Sequence, residues 1–495
     1  MRPGAPCTDS SRRATDPPIH RLSHRSQPVQ SHYQTLSADD FRIFPRSLDG
    51  KARSRHHPEY AGWHRDLSWN GRGFDRYPEY IVRAESIADV VHSIDFARRH
   101  GLPVSVRGSG HSYAGCFLRN TGILLDLSAL RDIQIDPDRR SAQVQPGVSS
   151  RQLSAALARH GLAFPTGHGG EVGLSGFLLG GGLGINFRAW GGMSTFNVRA
   201  IDLVTADGEV LHADAHENPE LLWAARGGGP GLFFVVTRFH LDCWPLPGCI
   251  TSNTYLAKFS DLPRLLARIE QAQPDPSLQV MLAIVPQTDD RAAEECGRQV
   301  MLNTIAFADS PTHARALQAS LSEHVSAGLI RAVEVDQPSD FESIYRRGDA
   351  MLVSRRYRTD NILTDRGEDA VAILAAHLPS QPSPATLPLL IWRGASSWSD
   401  AAWSASGRWF FSTYAQWNEV ADDEVNRGWL KSLYDELATV ASGSYINEFD
   451  LEERSGSAHR CYSAESWSRL RRLRRQYDPH GVFHDVSMDV SAGDR

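Results

Sequence analysis

The sequence predicts an α+β protein built of two unlike halves, and three observations carry that reading. Short strand-like runs alternate with capped helices between residues 77 and 247. Longer apolar strands separated by helices fill the stretch beyond residue 248. No apolar run approaches the roughly 20 residues that cross a bilayer, so no membrane span is expected.

The first half opens with a strand at 77–82 (YPEYIV). Ser86 then starts a helix, because its hydroxyl can take an orphan backbone N–H and Asp89 stands three residues on, as in a capping box. Ile87, Val90, Val91 and Ile94 recur at helical spacing, and Gly101 ends the run. A strand at 103–106 leads straight into RGSGHS. Strands follow at 123–127 and 142–145, then a helix from residue 149 or 150 to 161. Strands at 198–206 and 209–213 flank Asp207-Gly208, a strong short-range hairpin signal. A strand at 232–241 precedes Trp244-Pro245-Leu246-Pro247-Gly248, which marks a boundary.

In the second half, helices are expected at 261–271 and 311–324, and strands at 278–285, 299–307, 389–392 and 408–417. Long strands between helices suggest an antiparallel sheet backed by helices, a common cover for a substrate cavity. With 495 residues the chain exceeds one typical core, so several units are expected. They are a tail at 1–40, a lead-in at 41–76, a first domain at 77–247, a second at 248–444 and a closing segment at 445–495.

Charge and cysteine usage narrow the function classes. Lys+Arg 52 against Asp+Glu 58 gives a net charge of −6, which argues against a general nucleic-acid binder. The six cysteines, at 7, 116, 243, 249, 296 and 461, form no CxxC pair and match no zinc-ligand spacing, so no metal is expected. Sparse thiols fit a reducing compartment, and a cytoplasmic location is expected. Residues 1–40 carry arginines, serines and prolines but no apolar core of ~7–15 residues, so they read as a disordered tail and not as a secretory signal.

Two glycine-rich segments carry the chemistry. RGSGHSYAG (107–115) follows a strand directly; its small residues let consecutive N–H groups converge on an anion, and Arg107 adds a positive charge. The second, 167–192, holds 11 glycines among 26 residues. Glycine costs ~0.5–1 kcal/mol in regular structure, so such density points to close approach of backbone to a flat or phosphorylated ligand. A flexible linker would not interleave Val172, Leu174, Phe177, Leu178, Leu183, Ile185 and Phe187. The first loop lacks the G-x-x-x-x-G-K-[ST] of a P-loop, and Tyr113 stands where the dinucleotide fingerprint needs its third glycine. The residues alone therefore indicate a phosphate-bearing cofactor of unspecified kind.

RGSGHSYAG, GGEVGLSGFLLGGGLG, and NPELLWAARGGG with FFVVTRFHL resemble the FAD-binding domain of the vanillyl-alcohol-oxidase/PCMH superfamily. YINEFD (445–450) and QYDPHGVF (476–483) resemble its berberine-bridge-enzyme-like branch, and the motifs keep the family's order over residues 75–490. The resemblance implies a two-part PCMH-type FAD-binding domain, a substrate domain, and a closing segment that returns to the flavin domain. It implies FAD bound by Arg107, Gly108, Ser109, Gly110, Ser112, Gly173 and Gly176, and attached covalently through His111. Many relatives add a second, cysteinyl link; Gly169 stands at that place here, so a single link is expected. Cys116 does not match the motif and reads as a packed thiol.

The same resemblance places a catalytic tyrosine at Tyr445 and a flavin-facing residue at Asn447. A phenol near pKa 10 must be acidified, or pass its proton on, before it acts as a base near neutrality; Arg408 and Tyr357 are candidates to help. Tryptophans 392, 398, 403, 409, 417 and 429 crowd the second half and suit either an aromatic pocket or core packing. The 469–475 arginine run reads as a solvated helix face.

The expected activity is that of an oxidase: hydride transfer from a small organic substrate such as a sugar, alkaloid or other secondary metabolite to flavin, with oxygen as electron acceptor. The alternatives are a dehydrogenase of the same fold using another acceptor, and a flavin-binding protein without turnover.

Overall fold

The computed structural model describes residues 45–287, 297–325, 328–395 and 399–486. The expected tail, Cys7, Cys296 and Trp398 lie outside them. Ordered structure begins well before the strand expected at 77. Strand β1 (Ala52–Ser54) and the helix Tyr60–Arg65 belong to the lead-in, where mixed polar and apolar residues show neither a helical nor a strand period.

The lead-in strand opens a four-stranded sheet. It is completed by β2 (Tyr80–Arg83), β3 (Val104–Arg107) and β4 (Ile123–Asp126), in the order β1-β2-β4-β3. β4 runs parallel to β2 and β3, so the β2–β3 connection must cross over, and the helix Ile87–His100 makes that crossing. Its ends follow the chain chemistry: Ser86 Oγ accepts from Asp89 N at 3.2 Å, and Gly101 closes the helix at φ +64°. The Asp89 carboxylate reaches one residue further back than a capping box requires, accepting from Glu85 N at 2.9 Å.

The next strands are β5 (Ile133–Asp136), β6 (Ser141–Val144), β7 (Leu162–Ala163), β8 (Val198–Thr205), β9 (Val210–Ala213), β10 (Phe234–Asp242) and β11 (Trp244–Pro245). Five form an antiparallel sheet, β5-β6-β10-β8-β9, and β7 pairs with β11. The Asp207-Gly208 hairpin forms as expected, with Gly208 at φ +82°. The helix after β6 is Ser150–Ala158, held by a reciprocal capping box between Ser149 and Gln152.

The second half is a seven-stranded antiparallel sheet. Its strands are β12 (Cys249–Lys258), β13 (Leu278–Pro286), β14 (Arg298–Ala308), β15 (Arg331–Pro338), β16 (Arg356–Thr364), β17 (Leu387–Trp392) and β18 (Trp409–Trp417). Their order is β15-β12-β14-β13-β17-β18-β16. Helices Leu262–Ala272, Pro311–Val325, Gly367–His377 and Asp423–Leu437 cover one face. Alternation along β17 and β18 sorts the side chains. Leu390, Trp392, Trp409, Phe411 and Trp417 enter the helix-backed core, while Leu387, Leu389, Ile391, Phe410 and Tyr414 turn to the other face. The tryptophan question is settled by this sorting: Trp392, Trp409, Trp417 and Trp429 are core, Trp403 packs against Tyr445, and none of them lines the cavity described below.

The closing segment returns to the first sheet. Val104 N donates to Val482 O at 2.6 Å and His484 N donates to Val104 O at 3.0 Å. The Asp478 carboxylate shapes this turn by accepting from Val482 N and Phe483 N at 2.6 and 3.0 Å. The arginine run before it is solvated only in part: Arg472 and Arg475 are exposed, while three others are engaged. Arg469 lies over the Trp223 ring at 4.0 Å and pairs with Glu220, Arg471 pairs with Asp485, and Arg474 donates to Gly231 O at 3.1 Å. The helix Ala464–Tyr477 is thereby fastened onto the first core.

Candidate active site

Between the first core and the open face of the seven-stranded sheet lies a cavity of about 350 Å³. It is walled by RGSGHSYAG, the second glycine-rich segment, the 445–449 turn and the apolar residues of β17 and β18. Every site candidate implied by the resemblance lines it: Arg107, Gly108, Ser109, Gly110, His111, Ser112, Gly173, Gly176, Tyr445 and Asn447.

The first loop is held open by its neighbours. Gly110 sits at φ +80°, and a Cβ there would lie 2.0 Å from Leu67 O, so only glycine fits. Among the described residues, no protein acceptor takes the backbone N–H of residues 108–113. Such a run of undirected donors is the chemistry of an anion cradle.

Arg107 corrects the sequence reading. Its guanidinium is buried and committed to Asp126 at 2.7 Å, Leu67 O at 2.7 Å, Ser109 O at 3.1 Å and Gly108 O at 3.3 Å. It braces the loop from behind, and its charge is matched by Asp126.

His111 stacks on Trp69 with ring centroids 4.5 Å apart and planes 9° from parallel. Its ring nitrogens have no hydrogen-bond partner among the described residues, and burial pushes its pKa down to about 4. At neutral pH it is a neutral imidazole with an available lone pair beside the cavity.

The second segment brings small residues to the opposite wall. A Cβ on Gly108 would lie 2.1 Å from Ser175 Oγ, so the two loops touch through a glycine. Gly176 faces open space: a Cβ there would meet nothing within 4 Å. At Gly169 a side chain would begin 3.2 Å from Val172 and 3.3 Å from the Asp349 carboxylate. Cys116 sits at the cavity edge with its thiol 3.4 Å from Ser112 Oγ, and packs against the first core.

Tyr445 is fixed by Asn361, whose side chain bonds both its N–H (2.6 Å) and its carbonyl (2.8 Å). Trp403 and Phe410 pack edge-on against its ring. The phenolic oxygen accepts from Leu183 N at 3.3 Å and from Asn447 Nδ2 at 2.9 Å, and Asn447 Nδ2 also reaches Phe177 O at 3.1 Å. Burial, and then the nearby Glu448 charge, push the Tyr445 phenol well above its ordinary value. The expected helpers are elsewhere. Arg408 pairs with Glu270 and Asp365, and Tyr357 stacks on Trp69 with its hydroxyl turned to Ser354 O.

Sequence reasoning passed over two residues here. His168 lines the cavity, burial pushes its pKa down to about 4, and Gln279 Nε2 stands 3.0 Å from its Nε2. Gln279 Oε1 accepts from Asn186 N at 3.0 Å, so its amide NH2 faces His168 and leaves His168 Nε2 as the acceptor. Glu448 also lines the cavity, its carboxyl pushed up by burial despite bonds from Ser412 and Tyr414. His168 belongs to the second glycine-rich segment and Glu448 to YINEFD, so both were visible as letters but not as neighbours. A further cross-strand cluster, Asp202 with His212 (2.7 Å) and His240 (3.2 Å), stands on β8, β9 and β10, outside the cavity lining.

Residues 78–214 match a family model described as an FAD binding domain. The chain is 29% identical over 439 residues to the FAD-linked oxidoreductase janO of Penicillium janthinellum, covering 85% of this chain and 93% of that one. It is 37% identical over 206 residues to the (R)-6-hydroxynicotine oxidase of Paenarthrobacter nicotinovorans, covering 41% and 44%. Among solved structures, 6-hydroxy-D-nicotine oxidase from Arthrobacter nicotinovorans superposes with a TM-score of 0.76 at 24% identity, covering 90% of this chain and 99% of that one. Phl p 4.0202, a glucose dehydrogenase, gives 0.75 at 18% identity, with 90% and 97% covered. The residues present fit an FAD: free backbone donors at 108–113 suit its diphosphate, and the open face of Gly176 leaves room for it against the backbone.

Proposed function

Because this chain is an FAD-dependent oxidoreductase of the PCMH/berberine-bridge-like superfamily, we propose that it is an oxidase whose flavin is joined by a single covalent bond to His111. The observation that supports this reading is the His111 imidazole: half-buried, neutral, stacked on Trp69, and without a competing hydrogen bond among the described residues. A neutral ring nitrogen is the nucleophile such a bond requires. Gly169 supplies no sulfur for a second link.

Bound flavin supplies a two-electron acceptor for a hydride from a small organic substrate. Tyr445 and Asn447 take the catalytic positions at the cavity wall. Asn447 ties the phenolic oxygen to the glycine-rich segment, so Tyr445 meets the substrate as an oriented neutral hydroxyl. Its raised pKa assigns it to hydrogen bonding and leaves proton acceptance to another group. Oxygen as the final acceptor follows the relative named as an oxidase.

The test is direct. After acid precipitation, the yellow colour should stay with wild-type protein and leave His111→Ala. Reduced protein mixed with air-saturated buffer should reoxidise within seconds; recovery over many minutes would assign a dehydrogenase instead.

A further inference from the structure

Glu448 is a cavity residue that none of these roles uses. It closes the turn Ile446–Glu448, directly after Asn447. Ser412 Oγ and Tyr414 OH both donate to one oxygen, Oε2, at 2.7 and 2.9 Å. The other oxygen, Oε1, has no donor among the described residues.

What separates the half-buried Glu448 from the buried and half-buried acids nearby is the lack of a cation. Asp126 has Arg107 at 2.7 Å, Asp360 has Arg454 at 2.6 Å, Asp450 has Arg358 at 3.3 Å and Glu452 has Arg72 at 2.7 Å. No Lys, Arg or His pairs with Glu448 among the described residues. Its titratable neighbours are Tyr113, Tyr414, Tyr434 and Tyr445, and its charge helps to raise the pKa of each. Glu448 is half-buried at the cavity wall, and a carboxylate partly withdrawn from water without a counter-charge carries a desolvation cost. Met281, Leu387, Leu389, Ile391 and Phe410 on the sheet face offer it no relief and suit an apolar body. The ligand that offsets this cost carries its own cation and an N–H for Oε1.

We propose that Glu448 anchors a protonated amine, so that the substrate is an amine with an apolar or ring-bearing body and not a sugar. This rests on the reading of the cavity as a substrate-oxidising site. The ammonium donates to Oε1 and then passes that proton to it: the N–H bond breaks, the O–H bond forms, and the N–H electron pair stays on nitrogen. The resulting neutral amine holds the lone pair that its neighbouring carbon needs in order to lose hydride. Burial favours the neutral acid and so helps Glu448 to accept the proton.

Calorimetric titration of the flavin-loaded full chain tests this, using phenethylamine and its uncharged counterpart phenethyl alcohol. A charge-assisted hydrogen bond is worth about ten- to a hundred-fold in affinity. Wild type should prefer the amine by that factor. Glu448→Gln should erase the preference while leaving alcohol affinity within about two-fold. Glu448→Asp, which keeps the charge, should retain part of the preference. Equal binding of amine and alcohol by wild type, no amine binding at all, or equal weakening of both ligands by Glu448→Gln overturns the proposal. Binding heats need no turnover. A protein that selects amines through Glu448 but never reoxidises in air refutes the oxidase reading alone, and a rapid oxidase indifferent to amines refutes this inference alone.

Discussion

The Trp69 indole lies flat against the His111 imidazole, 4.5 Å between ring centroids and 9° from parallel. Trp69 belongs to the lead-in, and it also stacks on Tyr357 (4.8 Å) and meets Tyr113 edge-on (5.2 Å). The position of a residue in the glycine-rich loop is therefore set by a side chain outside the FAD domain.

Trp69→Ala removes the surface that holds the imidazole in place. An aromatic pair of this kind is worth ~0.5–1.5 kcal/mol beyond its area, so the fold should survive. The acid-stable fraction of flavin should fall, while total flavin measured before precipitation stays closer to wild type. Equal loss of both would show that Trp69 serves folding and not the orientation of His111.

Gly180 leaves room for Asn447. A Cβ there would fall 2.0 Å from Asn447 Oδ1, although the φ of Gly180 (−95°) suits any residue. Gly180→Ala should push the amide away from Tyr445 and lower kcat by about a hundred-fold, the effect of an ångström-scale misplacement. Acid-stable colour should be unchanged, because His111 is on the other loop. Steady-state turnover alongside flavin content checks both parts.

Arg107 and Asp126 form a buried pair behind the anion cradle, both side chains less than a tenth exposed. Removing one partner leaves the other charge uncompensated, at a cost of about 3–5 kcal/mol. Asp126→Ala should lower the urea midpoint correspondingly and reduce flavin loading, since Arg107 holds Gly108 and Ser109 through their carbonyls.

His168 predicts an acid-sensitive fold. Its folded-state value of about 4 lies below the ordinary 6.5, so the unfolded chain takes up a proton first as pH falls. The stabilisation is complete above pH 6.5 and is lost progressively between 6.5 and about 4. At pH 5 the loss is up to about 2 kcal/mol relative to pH 7. His168→Gln should flatten the decline, read from denaturation midpoints at pH 7 and pH 5.

The first half was legible because its signals are local. Ser86 and Gly101 bound one helix, Ser149 caps another, and Asp207-Gly208 turns a hairpin, each within a few residues of what it controls. The second half was read less completely. β12, β15 and β16 were not foreseen, and β16 and β17 are buried at every position, so their apolar and polar residues do not alternate. Arg469, Arg471 and Arg474 were misread for a related reason: their partners Glu220, Asp485 and Gly231 lie on other elements.

The candidate site divides along the same line. Glycine density pointed to a phosphate-bearing cofactor, and the family resemblance of the motifs pointed to a flavin and to His111, Tyr445 and Asn447 as candidates, because those features are contiguous in the chain. Folding alone turned Arg107 inward to Asp126, separated Arg408 and Tyr357 from Tyr445, and brought Ser412 and Tyr414 to Glu448 from 36 and 34 residues away. A carboxyl's charge state depends on how much water and how many cations surround it. Those are set by neighbours in space, and no run of letters contains them.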